Sequence, residues 1–187
     1  AETVLLGLGR GSGARSVAGM RPTDGPWLRP LLGLRRADTE RICRLHDLAW
    51  WDDPHNLDPR FRRVRVRHEV LPLLEDVLGG GVAEALARTA AQLGPDTDLL
   101  DALAADVEPP DDVPTLLALP AALRSRVLRR LALASGASAG ELGAGHIAEL
   151  DRLVTDWHGQ ARVELPGGVS GRREGNRLVV APTPVAP

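Results

Sequence analysis

The sequence contains no lysine, so all 23 of its basic residues are arginine. Together with abundant alanine, glycine, proline and valine, this bias indicates the codon usage of a GC-rich genome rather than a particular function. The one cysteine, Cys43, excludes an internal disulfide and a zinc site built from cysteines. A single thiol fits the reducing cytoplasm, where we expect the protein to act. No apolar run reaches the roughly 18 residues of a membrane span, so we expect neither a signal peptide nor a membrane partner.

The net charge of −2 does not mark the chain as a nucleic-acid binder, but the charge is unevenly distributed. Residues 1–72 contain 13 arginines and 9 acidic residues, whereas residues 73–187 contain 10 arginines and 16 acidic residues. A basic first part and an acidic second part indicate that a polyanion would bind to the first part.

The densest charge is a run of five arginines within eight residues, directly after the acidic, Asn-bearing stretch at residues 52–58. These arginines are Arg60, Arg62, Arg63, Arg65 and Arg67. A guanidinium group is always protonated, and its planar set of donors suits phosphate and carboxylate oxygens. The run therefore predicts either a phosphate or nucleotide site, or a set of structural ion pairs on a solvated basic face.

If this run is helical, its arginines divide into two sets, because a helix turns about 100° per residue. Arg62 and Arg65 would lie with Glu69 on a solvated face. Arg63 and Arg67 would lie on the apolar side, which carries Val66, Val70 and Leu74. A charge there is costly unless it is paired, so these two arginines need an internal carboxylate or an anionic ligand. The internal candidates are Asp52 and Asp53.

The rest of the chain has a helical pattern, with short strands near its end. A helix end is expected over residues 1–9, and a loop over residues 14–34. Further helices are expected over about residues 34–48, 60–71, 82–106, 121–133 and 146–157, and strands over residues 162–165, 169–172 and 177–180. Asp58 and Pro59 are typical of the N-cap and first turn of a helix, and Pro72 is typical of a kink in that helix. The three glycines at residues 79–81 predict a hinge. Residues 108–114 are expected to form a linker, and residues 182–187 are expected to form a disordered tail.

Three shorter motifs have both a functional and a structural interpretation. The loop Arg10–Gly13 could present backbone N–H groups to a phosphate, or simply end a helix. The stretch at residues 52–58 lacks the central Gly and closing Glu of a calcium loop, so local turn bonds by Asn56 and Asp58 are favoured. Trp50 and Trp51 could stack a base, but a place in the core is favoured. The five histidines have no metal-ligand spacing, and no metal site is predicted.

Six segments, taken in order, resemble the tRNA(Ile)-lysidine synthetase family. They are residues 1–6 (AETVLL), 10–13 (RGSG), 18–20 (AGM), 29–35 (RPLLGLR), 51–58 (WDDPHNLD) and 63–72 (RVRVRHEVLP). Each segment is short, but six of them at compatible spacing are specific. The resemblance is closest over residues 1–75, and beyond them it rests on a looser helical pattern and on the turn at residues 165–168.

The resemblance implies a ligase of the ATP-pyrophosphatase type. In this family the C2 oxygen of the first anticodon cytidine of tRNA(Ile), which has the anticodon CAU, is adenylated. The side-chain amine of free lysine then displaces AMP and gives lysidine, which changes decoding from AUG to AUA. The implied substrates are therefore ATP with Mg²⁺, tRNA(Ile) and free lysine.

The resemblance also implies roles for particular residues. Arg63 and Arg67 match the family's Arg-Asn-x-x-Arg signature, although Val64 stands where Asn is usual. They are expected to be catalytic, because fixed cationic donors stabilise charge that builds on phosphoryl oxygens. Glu2 lies where the family places an acid beside the lysine and ATP pocket. Its carboxylate is the third catalytic candidate and would hold the α-ammonium of lysine.

Other motif positions imply binding roles. The implied ATP-binding loop at the rim of the active site is Arg10, Gly11, Ser12 and Gly13. The implied tRNA contacts are Arg60, Arg62, Arg65, Asn56 and Arg29. Arg29, Asn56 and Asp53 also match motif positions, and we expect each of them to support the local structure before any contact with the substrate.

The expected fold is mainly α, and its helical tRNA-binding region ends in a short β-hairpin or small sheet. Residues 1–34 would be the C-terminal remnant of an α/β ATP-pyrophosphatase domain. Residues 35–78 would be an Arg-rich helical connection at the active site, and residues 79–187 a tRNA-docking domain. In that last domain, phosphate contacts would come only from local clusters such as Arg124, Arg126, Arg129 and Arg130. Residues 82–135 could mediate a homodimer.

The chain has no initiator Met and starts within a helical pattern, which predicts a fragment with exposed apolar surface. The family's ATP-gripping loop, Ser-Gly-Gly-x-Asp-Ser, does not occur in the sequence, so we expect the fragment to be inactive alone. Two alternatives stay open. One is a tRNA thiolase of the same superfamily, which the single cysteine argues against. The other is a non-catalytic helical module that binds RNA or protein.

Overall fold

The structure is a computed structural model, and it describes residues 1–11, 13–108 and 111–183. Contacts between residues divide the chain into two compact units, Ala1–Gly94 and Pro95–Pro187. Within the described ranges, no helix is long and apolar enough to cross a membrane. The expected mainly helical fold with a small sheet near the end of the chain is confirmed.

The first unit is mostly helical. Its elements are α1 (Glu2–Gly9), α2 (Ala14–Val17), β1 (Thr23–Asp24), β2 (Trp27–Leu28), α3 (Arg36–Leu45), a 3-10 helix (Pro54–Leu57), α4 (Arg62–Arg65), a π-helix (Val66–Val70), α5 (Leu71–Val77) and the start of α6 (Val82–Ala105). Residues 14–34 are thus not all loop, because they contain α2 and an antiparallel hairpin of β1 and β2. Gly7 allows α1 and α2 to approach closely, since a Cβ there would lie 2.9 Å from the carbonyl oxygen of Ser16.

α4, the π-helix and α5 follow one another without interruption, and we call them together the Arg-rich helix. This helix begins later and ends later than the predicted residues 60–71. Its first residue is Arg62, and Phe61 is the N-cap. The predicted cap at Asp58 is wrong, because the Asp58 carboxylate accepts hydrogen bonds from the backbone N–H and the guanidinium of Arg60 instead. The helix widens to a π turn directly before Leu71 and Pro72. Pro72 has no N–H to donate to the carbonyl of His68, which is a physical reason for a break in the regular helical pattern there.

The three-glycine segment between α5 and α6 is held by one carboxylate. Gly79, Gly80 and Gly81 all have positive φ, a conformation that favours glycine. Glu75 crosses this segment and accepts hydrogen bonds from the backbone N–H groups of Val82 (3.0 Å) and Ala83 (2.9 Å). It thereby satisfies two of the N–H groups that a helix leaves unpaired at its start. α6 contains Gly94 and Pro95 within its length.

The second unit packs helices against a small sheet. After the end of α6 come α7 (Val113–Ala118), α8 (Ala121–Ala134), α9 (Ala144–Thr155), β3 (Val163–Leu165), β4 (Val169–Glu174) and β5 (Arg177–Pro182). The strands are antiparallel in the order β3–β4–β5. α7 begins within the predicted linker at residues 108–114. Asp112 caps this helix, because its carboxylate accepts a hydrogen bond from the N–H of Thr115. The predicted tail lies outside the described residues from position 184 onward.

The core of the second unit is aliphatic. Its largest fully buried side chains include Leu116, Leu128, Leu150, Leu153 and Leu178. Burial of each such side chain favours folding by about 1.5–3 kcal/mol. Gly171 in β4 makes room for this packing, because a Cβ at that position would collide with the side chain of Leu150.

The arginine cluster on α8 braces this core. Arg124 pairs with Asp151, and Arg126 pairs with Asp101. The other two bond to carbonyl oxygens, Arg129 to Leu142 and Arg130 to Ala104 and Val107. Their guanidinium groups thus already serve internal acceptors, so these contacts give no support to the predicted local phosphate-binding cluster.

Candidate functional site

The structure brings the three predicted catalytic residues together. Glu2 lies in the first turn of α1, and Arg63 and Arg67 lie in the Arg-rich helix more than sixty residues later. Arg67 Nε donates a hydrogen bond to Glu2 Oε1 at 2.6 Å. Arg63 Nε lies 3.8 Å from the other carboxylate oxygen, Oε2. One carboxylate thus bridges two guanidinium groups.

The carboxylate at the centre of this cluster is partly buried, and its two arginines are more exposed. The side chain of Glu2 is 22% exposed, that of Arg67 is 40% exposed and that of Arg63 is 55% exposed. The Glu2 carboxylate is thus mostly shielded and would be costly to leave unpaired, whereas both guanidinium groups remain accessible to an anionic ligand.

Both arginines contact Glu2 through Nε. Apart from these contacts to Glu2, no hydrogen bond or ion pair engages either guanidinium within the described ranges. The terminal nitrogens, Nη1 and Nη2, are the edge of the guanidinium that binds phosphate and carboxylate oxygens in pairs. The arrangement can therefore hold an anion while Glu2 fixes the position of both side chains.

The sequence around the arginines explains how they reach Glu2. Val64, between them, is the buried residue of α4 and anchors the helix. Arg67 lies in the π turn, and single π turns inside helices are frequent at functional sites. The predicted apolar side is wrong in part, because Val70 is exposed and Val64 takes its place. A π turn changes the angular spacing on which that prediction depended.

The predicted partners of these arginines are also corrected. Asp52 forms its ion pair with Arg36, and Asp53 caps the 3-10 helix by accepting from the N–H of His55. Glu2 takes the role expected of Asp52 or Asp53. Only packing of α1 against the π-helix places Glu2 there, and no local pattern in the sequence indicates that contact.

Two of the remaining arginines in the run have carboxylate partners on the surface. Arg60 pairs with Asp58, and its guanidinium lowers the pKa of that carboxyl group. Arg65 pairs with Glu69, as the helical spacing predicted, and lowers the pKa of Glu69. Arg62 is exposed, and no carboxylate pairs with it in the part of the chain that the structure describes.

The loop after α1 uses some of its donors internally. The N–H of Arg10 bonds to the carbonyl of Gly7 (3.3 Å), and the N–H of Gly11 bonds to that of Leu8 (2.9 Å). These two N–H groups end the helix, as in the structural interpretation of the motif. Gly13 has positive φ and is the N-cap of α2, the side chain of Arg10 is exposed, and Ser12 lies outside the described residues.

The other motif positions serve local structure. Arg29 donates to the carbonyl of Arg21 (3.1 Å) and lies 3.8 Å from Asp24. Asn56 is exposed and takes part in the 3-10 turn through its N–H, which donates to the carbonyl of Asp53 (3.0 Å). These contacts agree with the architectural role expected for Arg29 and Asp53.

The structure also shows two aromatic features on the surface. Trp50 and Trp51 are exposed, so their predicted place in the core is wrong, and the guanidinium of Arg44 lies 5.8 Å from the Trp50 ring. The rings of His55 and Phe61 meet edge to face, with their centroids 6.1 Å apart. No helical or strand spacing in the sequence indicates this second pair, because a 3-10 turn sets it. Elsewhere in the described ranges, no three His, Cys, Asp or Glu side chains could hold a metal ion together.

Comparison with known families divides the chain into two matched parts. Residues 1–74 match a PP-loop domain, and residues 112–179 match a TilS substrate binding domain. The first match contains Glu2, Arg63 and Arg67. The second contains α8, α9 and most of the sheet.

Curated relatives match nearly the whole chain. The tRNA(Ile)-lysidine synthase of Mycobacterium tuberculosis is 57% identical over 183 residues, which are 92% of this chain and 56% of the relative. The same enzyme from Mycolicibacterium paratuberculosis is 55% identical, covering 94% of this chain and 58% of the relative. The enzyme from Thermobifida fusca is 50% identical, covering 97% of this chain and 58% of the relative. The chain spans somewhat more than half the length of these relatives. It belongs to the tRNA(Ile)-lysidine synthase family.

Proposed function

We propose that this chain is the part of a tRNA(Ile)-lysidine synthase that binds the reacting phosphate and positions the anticodon. The C2 oxygen of the first anticodon cytidine attacks the α-phosphorus of ATP, a new O–P bond forms, and pyrophosphate leaves. The side-chain amine of lysine then attacks C2. A C–N bond forms, the C2–O bond breaks, AMP leaves, and the amine gives up its proton to solvent or to a base.

The observation that carries this proposal is the bridge from Glu2 to Arg63 and Arg67. Two arginines held by one carboxylate present a fixed cationic pair. Transfer of a phosphoryl or nucleotidyl group places charge on phosphoryl oxygens, and pre-positioned donors stabilise that charge without reorganising. Arg67, which is held most closely, is the group that we assign to the transferring phosphate.

Glu2 has two roles in this proposal. Its carboxylate holds the arginine pair through the two Nε groups. The remaining lone pairs of the same carboxylate accept from the α-ammonium of lysine. The side-chain amine of lysine, with a reference pKa of about 10.4, then loses its proton and attacks C2.

The loop Arg10–Gly13 contributes to the rim of the site through the Arg10 side chain, since its first two N–H groups end α1. Arg60, Arg62 and Arg65 supply positive charge to the tRNA backbone. Arg62 is the strongest of these candidates, because Arg60 and Arg65 already have carboxylate partners. Arg29 and Asn56 support the surface on which the tRNA lies.

The second unit is proposed to dock the tRNA, which the match to a TilS substrate binding domain supports. Its arginines on α8 are occupied, so this docking uses other surface. A homodimer through the helical surface of residues 82–135 is part of the same proposal. Mg²⁺ accompanies ATP in reactions of this type, but the described residues do not provide a cluster that fits it. No step is assigned to the metal.

The direct test uses the full-length protein, tRNA(Ile) transcript and ATP labelled at its α-phosphate. Without lysine, the label should appear on the tRNA, because the adenylated cytidine accumulates. Addition of lysine should release the label as AMP. A transcript with uridine at the first anticodon position is the matched control and should not take up label. Label on both transcripts, or on neither, would contradict the proposal.

A further inference from the structure

The rings of His55 and Phe61 meet on the surface, directly before the helix that carries Arg63. Their centroids are 6.1 Å apart and their planes meet at 63°. The residue Phe61 is 48% exposed, and the His55 side chain is 71% exposed. Phe61 precedes Arg63 by two residues and is the N-cap of α4. We call this pair, His55 with Phe61, the aromatic ledge.

Local hydrogen bonds hold the ledge in place. Asp53 Oδ1 accepts from the N–H of His55 at 2.9 Å and contacts its ring nitrogen Nδ1 at 2.8 Å. The N–H of Phe61 donates to the carbonyl of Asp58 at 3.1 Å, and the N–H of Asp58 donates to that of His55 at 3.3 Å. The His55 ring is therefore held by Asp53, the backbone of Phe61 is held by its turn, and the Phe61 ring contacts that of His55 edge to face.

The charge around the ledge selects its partner. Residues 55–67 contain five arginines and one acidic residue, Asp58. Arg62, directly after Phe61, has no carboxylate partner within the described ranges. An exposed ring followed directly by one arginine without a carboxylate partner, Arg62, has the chemistry of a single-stranded RNA site, in which aromatic side chains stack bases and arginines bind the backbone.

We infer that Phe61, braced by His55, stacks on an unpaired base of an RNA loop, and that Arg62 binds a neighbouring phosphate. The inference rests on the proposed function, and it assigns the contact to a loop nucleotide next to the one that reacts. The face of the Phe61 ring gives affinity without base identity, because every base has a π face.

The test measures binding of the full-length protein to an anticodon stem-loop RNA, with 2-aminopurine at each loop position in turn. Stacking on Phe61 should change the fluorescence at one position. Phe61→Leu should abolish that change and weaken binding by about 5- to 100-fold. Phe61→Tyr and Phe61→Trp keep an aromatic face and should bind as the wild type does, which separates loss of stacking from loss of fold.

Two controls separate stacking from other contacts. Leu57→Ala removes an exposed apolar residue of the same turn that is outside the ring pair, and it should leave binding unchanged. Arg62→Ala should lower the slope of log affinity against log salt by about one unit, whereas Phe61→Leu should not alter the slope.

The outcomes distinguish this inference from the proposed function. If the wild type forms lysidine and Phe61→Leu binds RNA normally, the ledge does not stack a base. If Phe61→Leu loses binding but the wild type forms no lysidine, the ledge is supported and the proposed reaction fails. Loss of binding by Phe61→Tyr and Phe61→Trp together with Phe61→Leu would also overturn the inference, because it would mean that the position serves packing.

Discussion

Glu2 and Arg67 are joined by a hydrogen bond of 2.6 Å, although 65 residues separate them in the sequence. The bond fixes the start of α1 to the π turn of the Arg-rich helix. The same carboxylate also lies 3.8 Å from Arg63. One partly buried carboxylate therefore holds two more exposed guanidinium groups close together.

Replacement of Arg67 by alanine should impair the reaction far more than replacement of Arg65. Arg67 is assigned to the transferring phosphate, and removal of one such donor costs about 100- to 1000-fold in kcat. Arg65 pairs with Glu69 on the surface, so Arg65→Ala should change kcat less than about threefold. The measurement is pyrophosphate release with saturating tRNA(Ile) and lysine. Equal, small effects would return both arginines to a structural role.

Glu2→Gln should separate lysine binding from ATP binding. The variant keeps the shape of the side chain but cannot pair with the α-ammonium of lysine, so the KM for lysine should rise at least about tenfold. The KM for ATP should change much less, because the amide oxygen of Gln can still accept from Arg67 Nε and hold it in place. Steady-state kinetics with each substrate varied in turn gives both values. A parallel rise in the two KM values would mean that Glu2 only maintains the fold.

A methyl group at Gly171 should destabilise the second unit. It would collide with Leu150 in the core, and overpacking of this kind costs about 1–3 kcal/mol. Gly145→Ala is the matched control, because Gly145 lies in α9 with open space around it and alanine favours helix there by about 0.5–1 kcal/mol. Urea unfolding of the full-length protein measures the free energy of unfolding of both variants. Similar stabilities for the two variants would contradict the packing described for β4 and α9.

Glu75 should make stability depend on pH. The N–H groups of Ala83 and Val82 donate to its carboxylate and lower its pKa below the ordinary value of 4.5. A lowered folded-state pKa adds stability above the unfolded value, and that stability is lost as the pH falls through the folded value. Glu75→Gln should therefore melt below the wild type at pH 7, and the difference should shrink below about pH 4.5. A difference in melting temperature between Glu75→Gln and the wild type that stays constant at all pH values would contradict this prediction.

Much of the fold could be predicted from the sequence. Helical periodicity located α6, α8 and α9, and glycine turns located the three strands of the sheet. The errors occurred where local hydrogen bonds override the pattern. Asp58 binds Arg60 instead of capping a helix, and no residue type signals that choice. The kink predicted at Pro72 takes the form of a π turn directly before it, whose type the sequence does not indicate.

The candidate site could be predicted only in part. Motif resemblance selected Glu2, Arg63 and Arg67, but the pairing between them depends on contact between α1 and the π-helix. The arginines on α8 look identical to phosphate-binding arginines in the sequence. Their carbonyl and carboxylate partners lie on other elements, so burial decided their role. The aromatic ledge depends on a 3-10 turn that helical spacing does not reveal.

The central claim is that the full-length protein joins lysine to the first anticodon cytidine of tRNA(Ile). Nucleoside mass spectrometry after incubation of the transcript with protein, ATP and isotopically labelled lysine tests it most directly. The account predicts one modified cytidine that carries the lysine label, and its loss in Arg67→Ala but not in Arg65→Ala. ATP turnover with a modified base that lacks the lysine label would contradict the account and favour another tRNA modification.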